Sequence, residues 1–448
     1  MRGRDALVEA LVHAFLGTEW TRDALRAAAA DSLGARRRWL GPLVTQVLVA
    51  FPHPPVDAPR ELARCIAALL PDRAQPVVAH LAPVAARAAA SSSPVPRIDG
   101  WDDLARLLGL TPSQLEGFAD VRRWNRRAPE GAVQNYDHVW RERPGRAPRL
   151  LEIPRGRLRA VQRVVLDDIV GLAPVHPAAH GFVPGRSAIS GAAVHAGSAM
   201  VVTLDLRRFF AQVTAPRIYG VLRGEGLPEG VAYALTGLCT HAVPIATVRR
   251  MPAGGDPEER AGLRRALALA HLPQGAPTSP ALANLALRRL DARLAGYAEA
   301  AGARYTRYAD DLAFSGDERF ARRAEAFARG AVRIVSDAGY EVNPRKTRFR
   351  PASVRQSVTG VVVNEHPNVR RADVDRLHAI LHNCAVHGPG GQNRGGVPDF
   401  RAHLLGRIAW VAAVNPARGA GLRAVFDRIH WPDDPPPAAE GKAMLTWP

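Results

Sequence analysis

The chain has 448 residues, enough for two or three domains, and a formal charge of +18 from 60 Lys and Arg against 42 Asp and Glu, which points to a polyanionic partner such as nucleic acid. Its three cysteines, Cys65, Cys239 and Cys384, are far apart, which excludes a disulfide framework and fits a reducing interior. No signal peptide or membrane-length apolar run is evident, so a cytoplasmic protein without a membrane partner is expected.

Segments 5–16, 22–33, 39–49 and 59–70 carry apolar residues at helical spacing and read as helices. Arg36-Arg37-Arg38-Trp39 mixes basic and aromatic character, but a solvated helix end is the plainer reading. A Pro/Ser/Ala stretch at 88–96 reads as a linker. Two short helices follow at 101–108 and 112–118, with Thr111 capping the second and Pro112 at its first position. From Arg122-Arg123-Trp124-Asn125-Arg126-Arg127 to Arg149 the chain is Arg-rich and interleaved with Trp and Tyr. That mixture suits phosphate contact with base or sugar stacking; an exposed surface is the bland alternative.

Met200-Val201-Val202-Thr203-Leu204 reads as an apolar strand ending at Asp205. Side chains alternate along a strand, so Val202, Leu204 and Leu206 should bury while Asp205 points into a cleft. Residues 252–271 read as an insertion, a flexible loop and then a helix over 258–269 that decorates the surface. Leu272-Pro273-Gln274-Gly275-Ala276-Pro277-Thr278-Ser279-Pro280 leads into a helix with Ser279 as N-cap and Leu282, Leu285, Leu287, Leu290 and Leu294 as its buried stripe. Gln274 and Gly275 then lie in a tight loop where backbone can approach a nucleotide.

Tyr308-Ala309-Asp310-Asp311 lies between strand-like runs 303–307 and 312–315, at the tip of a hairpin. Brought together, Asp205, Asp310 and Asp311 would repel one another. Two Mg²⁺ ions, about 3.5–4 Å apart, remove that penalty and stabilise the attacking and leaving oxygens of phosphoryl transfer. The chain has just two lysines, Lys346 and Lys442. An ammonium can give up a proton where a guanidinium cannot, so Lys346 suggests a titratable role, against chance placement of a rare residue. Further on, His378 and His382 stand one helical turn apart, near Cys384 and His387. No Glu lies between them as the zinc-protease pattern requires, so zinc is not expected there. Helices are expected at 402–414 and 417–429, and a loosely ordered tail from Pro432.

In order, Asp205-Leu206-Arg207-Arg208-Phe209-Phe210, residues 272–280, 308–311 and 343–347, and Val358-Thr359-Gly360-Val361-Val362-Val363-Asn364 resemble the successive palm motifs of reverse transcriptases. Arg149-Leu150-Leu151-Glu152-Ile153-Pro154-Arg155, His180-Gly181-Phe182 and Gly185-Arg186-Ser187 resemble the finger motifs of the bacterial branch. Val358-Thr359-Gly360 matches a signature of retron enzymes; Gly191-Ala192-Ala193-Val194-His195 matches their Asn-Ala-x-x-His signature in part, lacking the Asn.

The resemblance implies an α+β right-hand polymerase fold. It covers roughly residues 100–431, with fingers and palm at 96–364 and a helical thumb at 365–431; the spacing and composition add a helical region of unknown role at 1–95 and a flexible tail at 432–448. It implies that Asp205, Asp310 and Asp311, with Leu206, hold two Mg²⁺ (or Mn²⁺), and that Lys346 is the general acid. Arg149 and Arg155 would grip the triphosphate, with Gln274 and Gly275 at the nucleotide and Phe210 as a steric gate against ribose. Tyr308, His195 and Val358-Thr359-Gly360 would position primer and template. The implied activity is RNA-directed DNA synthesis that copies a partner structured non-coding RNA from a 2′-hydroxyl, giving an RNA–DNA hybrid, commonly in anti-phage defence. Partners are that RNA, its DNA product, dNTPs and an effector protein. Two alternatives stay open: another bacterial class, defence-linked or polymerising without a template, and a catalytically idle RNA-binding protein that kept the fold.

Overall fold

Apolar residues three and four apart draw the N-terminal helices together, and polar caps set where helices begin. The computed structural model describes residues 3–51, 54–55, 59–71, 94–120 and 134–431. Most of the linker expected at 88–96, the basic–aromatic run at 122–127 and the tail at 432–448 lie outside the described residues. No helix among the described residues is long and apolar enough to cross a membrane. The chain divides into two units. One comprises Met1–Val183, Leu206–Arg293 and Ile334–Val342, the other Pro184–Asp205, Leu294–Arg333 and Asn343–Pro448.

In the first unit, helices Gly3–Leu16, Arg22–Ser32, Leu40–Ala50 and Pro59–Leu69 pack through Leu11, Phe15, Leu25, Val44, Leu62 and Ile66. Thr21 caps the second by accepting from the Ala24 amide. The bundle meets helix Glu229–Cys239: His13 lies 3.6 Å from Glu229, and the Arg60 guanidinium sits 5.8 Å from the centre of the Tyr233 ring. Helices Trp101–Leu107 and Pro112–Phe118 pack on that helix too, the latter opened by a reciprocal Thr111–Gln114 capping box. Strands β1 (Tyr136–Arg141) and β2 (Arg149–Pro154) form an antiparallel hairpin.

Segment 252–271 is not the surface decoration expected of it. Its helix Pro257–Leu267 buries Leu267 with Leu150, Val243 and Met251, and Trp140 and Leu263 pack against this cluster. Leu263 and Leu267 stand one turn apart, so the helix has an apolar stripe that the β1–β2 hairpin covers.

The second unit is built on an antiparallel sheet of β3 (Met200–Asp205), β4 (Ala303–Tyr308), β5 (Asp311–Gly316) and β6 (Arg348–Pro351), in the order β4-β5-β3-β6. Asp205 pairs with Asp311, Thr203 with Ala313 and Arg348, and Val201 with Ser315 and Arg350. Directly opposed residues share a face. One face therefore runs from Asp205 and Asp311 past Thr203 and Ala313 to Val201 and Ser315, with both arginines along its edge. The other face is aromatic: Phe314 stacks on Tyr305 at 4.9 Å and meets Phe327 edge-on at 5.1 Å.

The far end of the first face is covered. Hairpin β7 (Ser357–Val358) and β8 (Val361–Val362), with helix Ala188–Ala193, packs Ala192, Val358, Val361 and Val363 against Val201 and Ala313. Helices Arg371–His387, Phe400–Val414 and Pro416–Phe426 form a separate core around Leu377, Leu381, Leu404, Ile408 and Leu422. Cys384 is buried in that core, and the rings of His378 and His382 stack 6.5 Å apart.

Candidate active site

Where the first face stays uncovered, it floors an open cleft of about 560 Å³. Asp205 and Asp311 line it, with Lys346, Tyr308, Thr359 and Gly360. Asp205 is 5% exposed, whereas Asp311, the first residue of β5, is exposed. Ala309-Asp310 makes the two-residue turn between β4 and β5. Ala309 takes φ +54°, strained for a residue with a Cβ, and the turn leaves Asp310 close enough for its charge to act on Asp311.

The Asp205 carbonyl accepts from the Asn343 amide at 2.7 Å, and the Asn343 side chain accepts from the Arg345 amide at 3.1 Å. These bonds fix the 3₁₀ turn Pro344–Lys346, which delivers the Lys346 ammonium to Asp205 Oδ2 at 2.5 Å. Although Asp311 as a residue is exposed, its carboxyl faces its neighbours in the cleft and is pushed up to about 6, first by loss of solvent and then by repulsion from Asp310 and Asp205, with Lys346 opposing.

At the β7–β8 turn, Thr359 and Gly360 take φ +47° and +87°, the two positive values of a type I′ hairpin turn. Glycine adopts this without penalty; Thr359 does not, and its hydroxyl donates to the Ala188 carbonyl at 3.3 Å. Val358, 3% exposed, anchors the hairpin.

His195, expected to help position primer and template, lies inside the second unit. It is fully buried, with Nδ1 2.8 Å from the Ser315 hydroxyl and Nε2 2.7 Å from the Thr306 hydroxyl. It thereby joins strands β4 and β5.

The nucleotide residues expected from the motifs lie in the first unit. Arg149 Nε donates to Gln274 Oε1 at 2.8 Å, so two of them hold each other. Arg155 is ion-paired with Asp137 at 2.9 Å. Gly275 takes φ +138°, and a Cβ there would lie 2.8 Å from the Glu152 carbonyl oxygen. The close approach that requires glycine is thus to β2 itself. Ser279, expected as an N-cap, donates its hydroxyl to the Pro273 carbonyl at 2.7 Å and so closes the Gln274 loop. Phe210 is half-buried, 5.1 Å from the Phe209 ring and 6.4 Å from the Phe182 ring. Leu206 is 1% exposed and bridges to Val342.

Some residues of interest escaped the sequence reading. Glu152 occupies an inward position of β2, between buried Leu150 and Pro154, where alternation calls for an apolar side chain. That misfit was its signal. Arg348 and Arg350 line the cleft. Arg350 has its charge disfavoured by loss of solvent and then by Arg348 and Arg355.

Residues 142–363 match the family model described as reverse transcriptase (RNA-dependent DNA polymerase). Over 329 residues the chain is 40% identical to the Retron Mx65 reverse transcriptase of Myxococcus xanthus, an alignment covering 72% of this chain and 70% of that protein. The chain belongs to the retron reverse transcriptases. This retron reverse transcriptase is also 36% identical over 357 residues to the Retron Mx162 enzyme of Myxococcus xanthus, covering 77% of this chain and 70% of the relative. With the Retron Ec86 reverse transcriptase of Escherichia coli it shares 29% identity over 247 residues, 55% of this chain and 68% of that one. It is an RNA-directed DNA polymerase, with the right-hand polymerase fold of its family behind a helical N-terminal region.

Proposed function

We propose that this reverse transcriptase copies a partner structured RNA into DNA at the Asp205–Asp311 cleft. Priming comes from a 2′-hydroxyl of that RNA, the product is an RNA–DNA hybrid, and the enzyme serves anti-phage defence. One observation supports the chemistry above all. Asp205 and Asp311 face each other across paired strands in an open cleft, with the Lys346 ammonium against Asp205.

Two Mg²⁺ ions, or Mn²⁺ in their place, fit this donor set. The raised Asp311 carboxyl marks negative charge that the protein leaves under-compensated. Mg²⁺ is commonly held by one or two carboxylates plus substrate phosphates, not by an all-protein cage. Among the described residues no three His, Cys, Asp or Glu side chains converge closely enough to enclose a metal by themselves. Asp205, Asp310 and Asp311, with the Leu206 carbonyl, would hold the ions, which when bound neutralise the attacking and leaving oxygens.

The chain's own residues do the rest. Arg149 and Arg155 grip the triphosphate, and Arg149 is steadied by Gln274. Phe210 acts as the steric gate that excludes a 2′-hydroxyl. Lys346 protonates the departing pyrophosphate. Tyr308 and the Thr359-Gly360 turn, both lining the cleft, hold the growing end. The hydroxyl of that end is the nucleophile, so catalysis consists of positioning and charge neutralisation. Residues 96–364 serve as fingers and palm and 365–431 as thumb.

Purified protein given a primed RNA, dNTPs and Mg²⁺ should extend DNA, and Asp310→Ala should abolish extension. Undiminished synthesis by that variant would remove the site assignment. Synthesis without any RNA would overturn the template reading. Sequencing the nucleic acid that copurifies tests the hybrid directly, since a covalently linked RNA–DNA species is expected.

A further inference from the structure

Behind the Arg149–Gln274 contact lies a buried ion pair with no assigned role. His271 and Glu152 have side chains 1% and 2% exposed, and His271 Nε2 lies 3.1 Å from Glu152 Oε1. The other ring nitrogen, Nδ1, lies 2.7 Å from the Leu269 carbonyl oxygen. Nδ1 faces a carbonyl and Nε2 a carboxylate, an arrangement that both nitrogens satisfy as donors when the ring is an imidazolium. Burial works against that charge, but the Glu152 carboxylate and these hydrogen bonds outweigh it and raise the pKa of His271.

The same carboxylate reaches the nucleotide loop. Glu152 Oε1 accepts from the Gln274 amide at 3.4 Å, and the Glu152 amide donates to the Gln274 carbonyl at 3.0 Å. Glu152 Oε2 is buried without a hydrogen-bond partner among the described residues, so this carboxylate rests on Oε1. His271 is itself fixed by paired backbone bonds with His241, at 2.9 and 3.0 Å.

We infer that the Glu152–His271 ion pair is a proton-dependent latch that positions Gln274, and through it Arg149, for the incoming nucleotide. Glu152 and His271 are positioning residues; neither touches substrate. The inference rests on the nucleotide roles proposed for Arg149 and Gln274. The latch is complete while His271 is protonated and slackens as pH rises through its raised pKa. Among the described residues, the ionisable groups around the pair include His241, His138 with its neighbours Asp137 and Arg155, Tyr136 and Cys239. Burial holds His241 and His138 toward neutrality and pushes the Tyr136 hydroxyl and Cys239 thiol up, which leaves His271 as the imidazole that keeps its proton.

Steady-state extension measured between pH 6 and pH 9 tests this. For the wild type, KM for dNTP should climb with pH while kcat follows a separate profile. A flat KM overturns the latch and needs no variant. Glu152→Gln should raise KM roughly ten-fold at low pH and abolish its pH dependence, with kcat changed far less. In an Arg149→Ala background it should add little, because the two act as one unit. If Arg149→Ala leaves KM unchanged, the nucleotide-site reading itself fails. If Arg149→Ala raises KM but folded Glu152→Gln keeps the wild-type profile, only the latch falls.

Discussion

Lys346 and Asp205, 141 residues apart in the chain, share a hydrogen bond of 2.5 Å in the cleft. The ammonium therefore sits against a carboxylate proposed to hold metal. Lys346→Ala should slow single-turnover extension about 100-fold or more if the ammonium is the proton donor. Lys346→Arg separates two roles, since a guanidinium keeps the charge but cannot release a proton. Rescue by arginine would show that the charge alone matters.

The Asp311 carboxyl gives metal-free protein a pH signature. Its folded value, about 6, lies above the ordinary 3.8, so the folded state binds this proton more tightly than the unfolded chain. Stability from this group is present at low pH and falls as pH rises through that window. Thermal unfolding in chelator should show the fall, and Asp311→Asn should flatten it. Added Mg²⁺ should raise Tm more at pH 7.5 than at pH 5.

Phe210 is half-buried beside Phe182 and Phe209, a ring held but not enclosed. Phe210→Ala should raise ribonucleotide incorporation roughly ten-fold or more while DNA synthesis persists. Competition between dNTP and rNTP measures it. An unchanged sugar preference would make Phe210 a packing residue.

His195 joins Thr306 and Ser315 inside the second unit. His195→Leu strands two buried hydroxyls and should cost about 2–4 kcal/mol in urea unfolding. Below its unfolding transition, the variant should keep the wild-type KM for primer. A raised KM in folded protein would show that the imidazole helps position the primer.

Leu267 tests whether the 252–271 segment is structural. Leu267→Ala should cost about 2–5 kcal/mol, whereas Glu258→Ala on the exposed side of the same helix should change little. Equal, negligible effects would return the segment to decoration.

The parts of the site legible in sequence are those governed by local rules. Strand alternation placed Asp205 at the end of β3, and the hairpin pattern placed Asp310 in a turn. The leucine stripe from Leu282 to Leu294 is buried as its spacing required. Less legible were the contacts between distant segments. Nothing near His195 announces Thr306 and Ser315, and nothing near Lys346 announces Asp205, because periodicity records which way a side chain faces but not what it meets. The insertion failed for a related reason: its glycines and prolines spoke for a loop, while the cluster that buries Leu267 includes residues from elsewhere in the chain.

Lysine is scarce in this chain, and between residues 3 and 431 Lys346 is alone. Its side chain is 42% exposed at the cleft. Amine acylation mapped by mass spectrometry therefore has a single internal target in that whole stretch, seated at the reaction centre. Protection from labelling would report occupancy of the cleft without requiring turnover, a footprint that an ordinary lysine-rich polymerase could not give so cleanly.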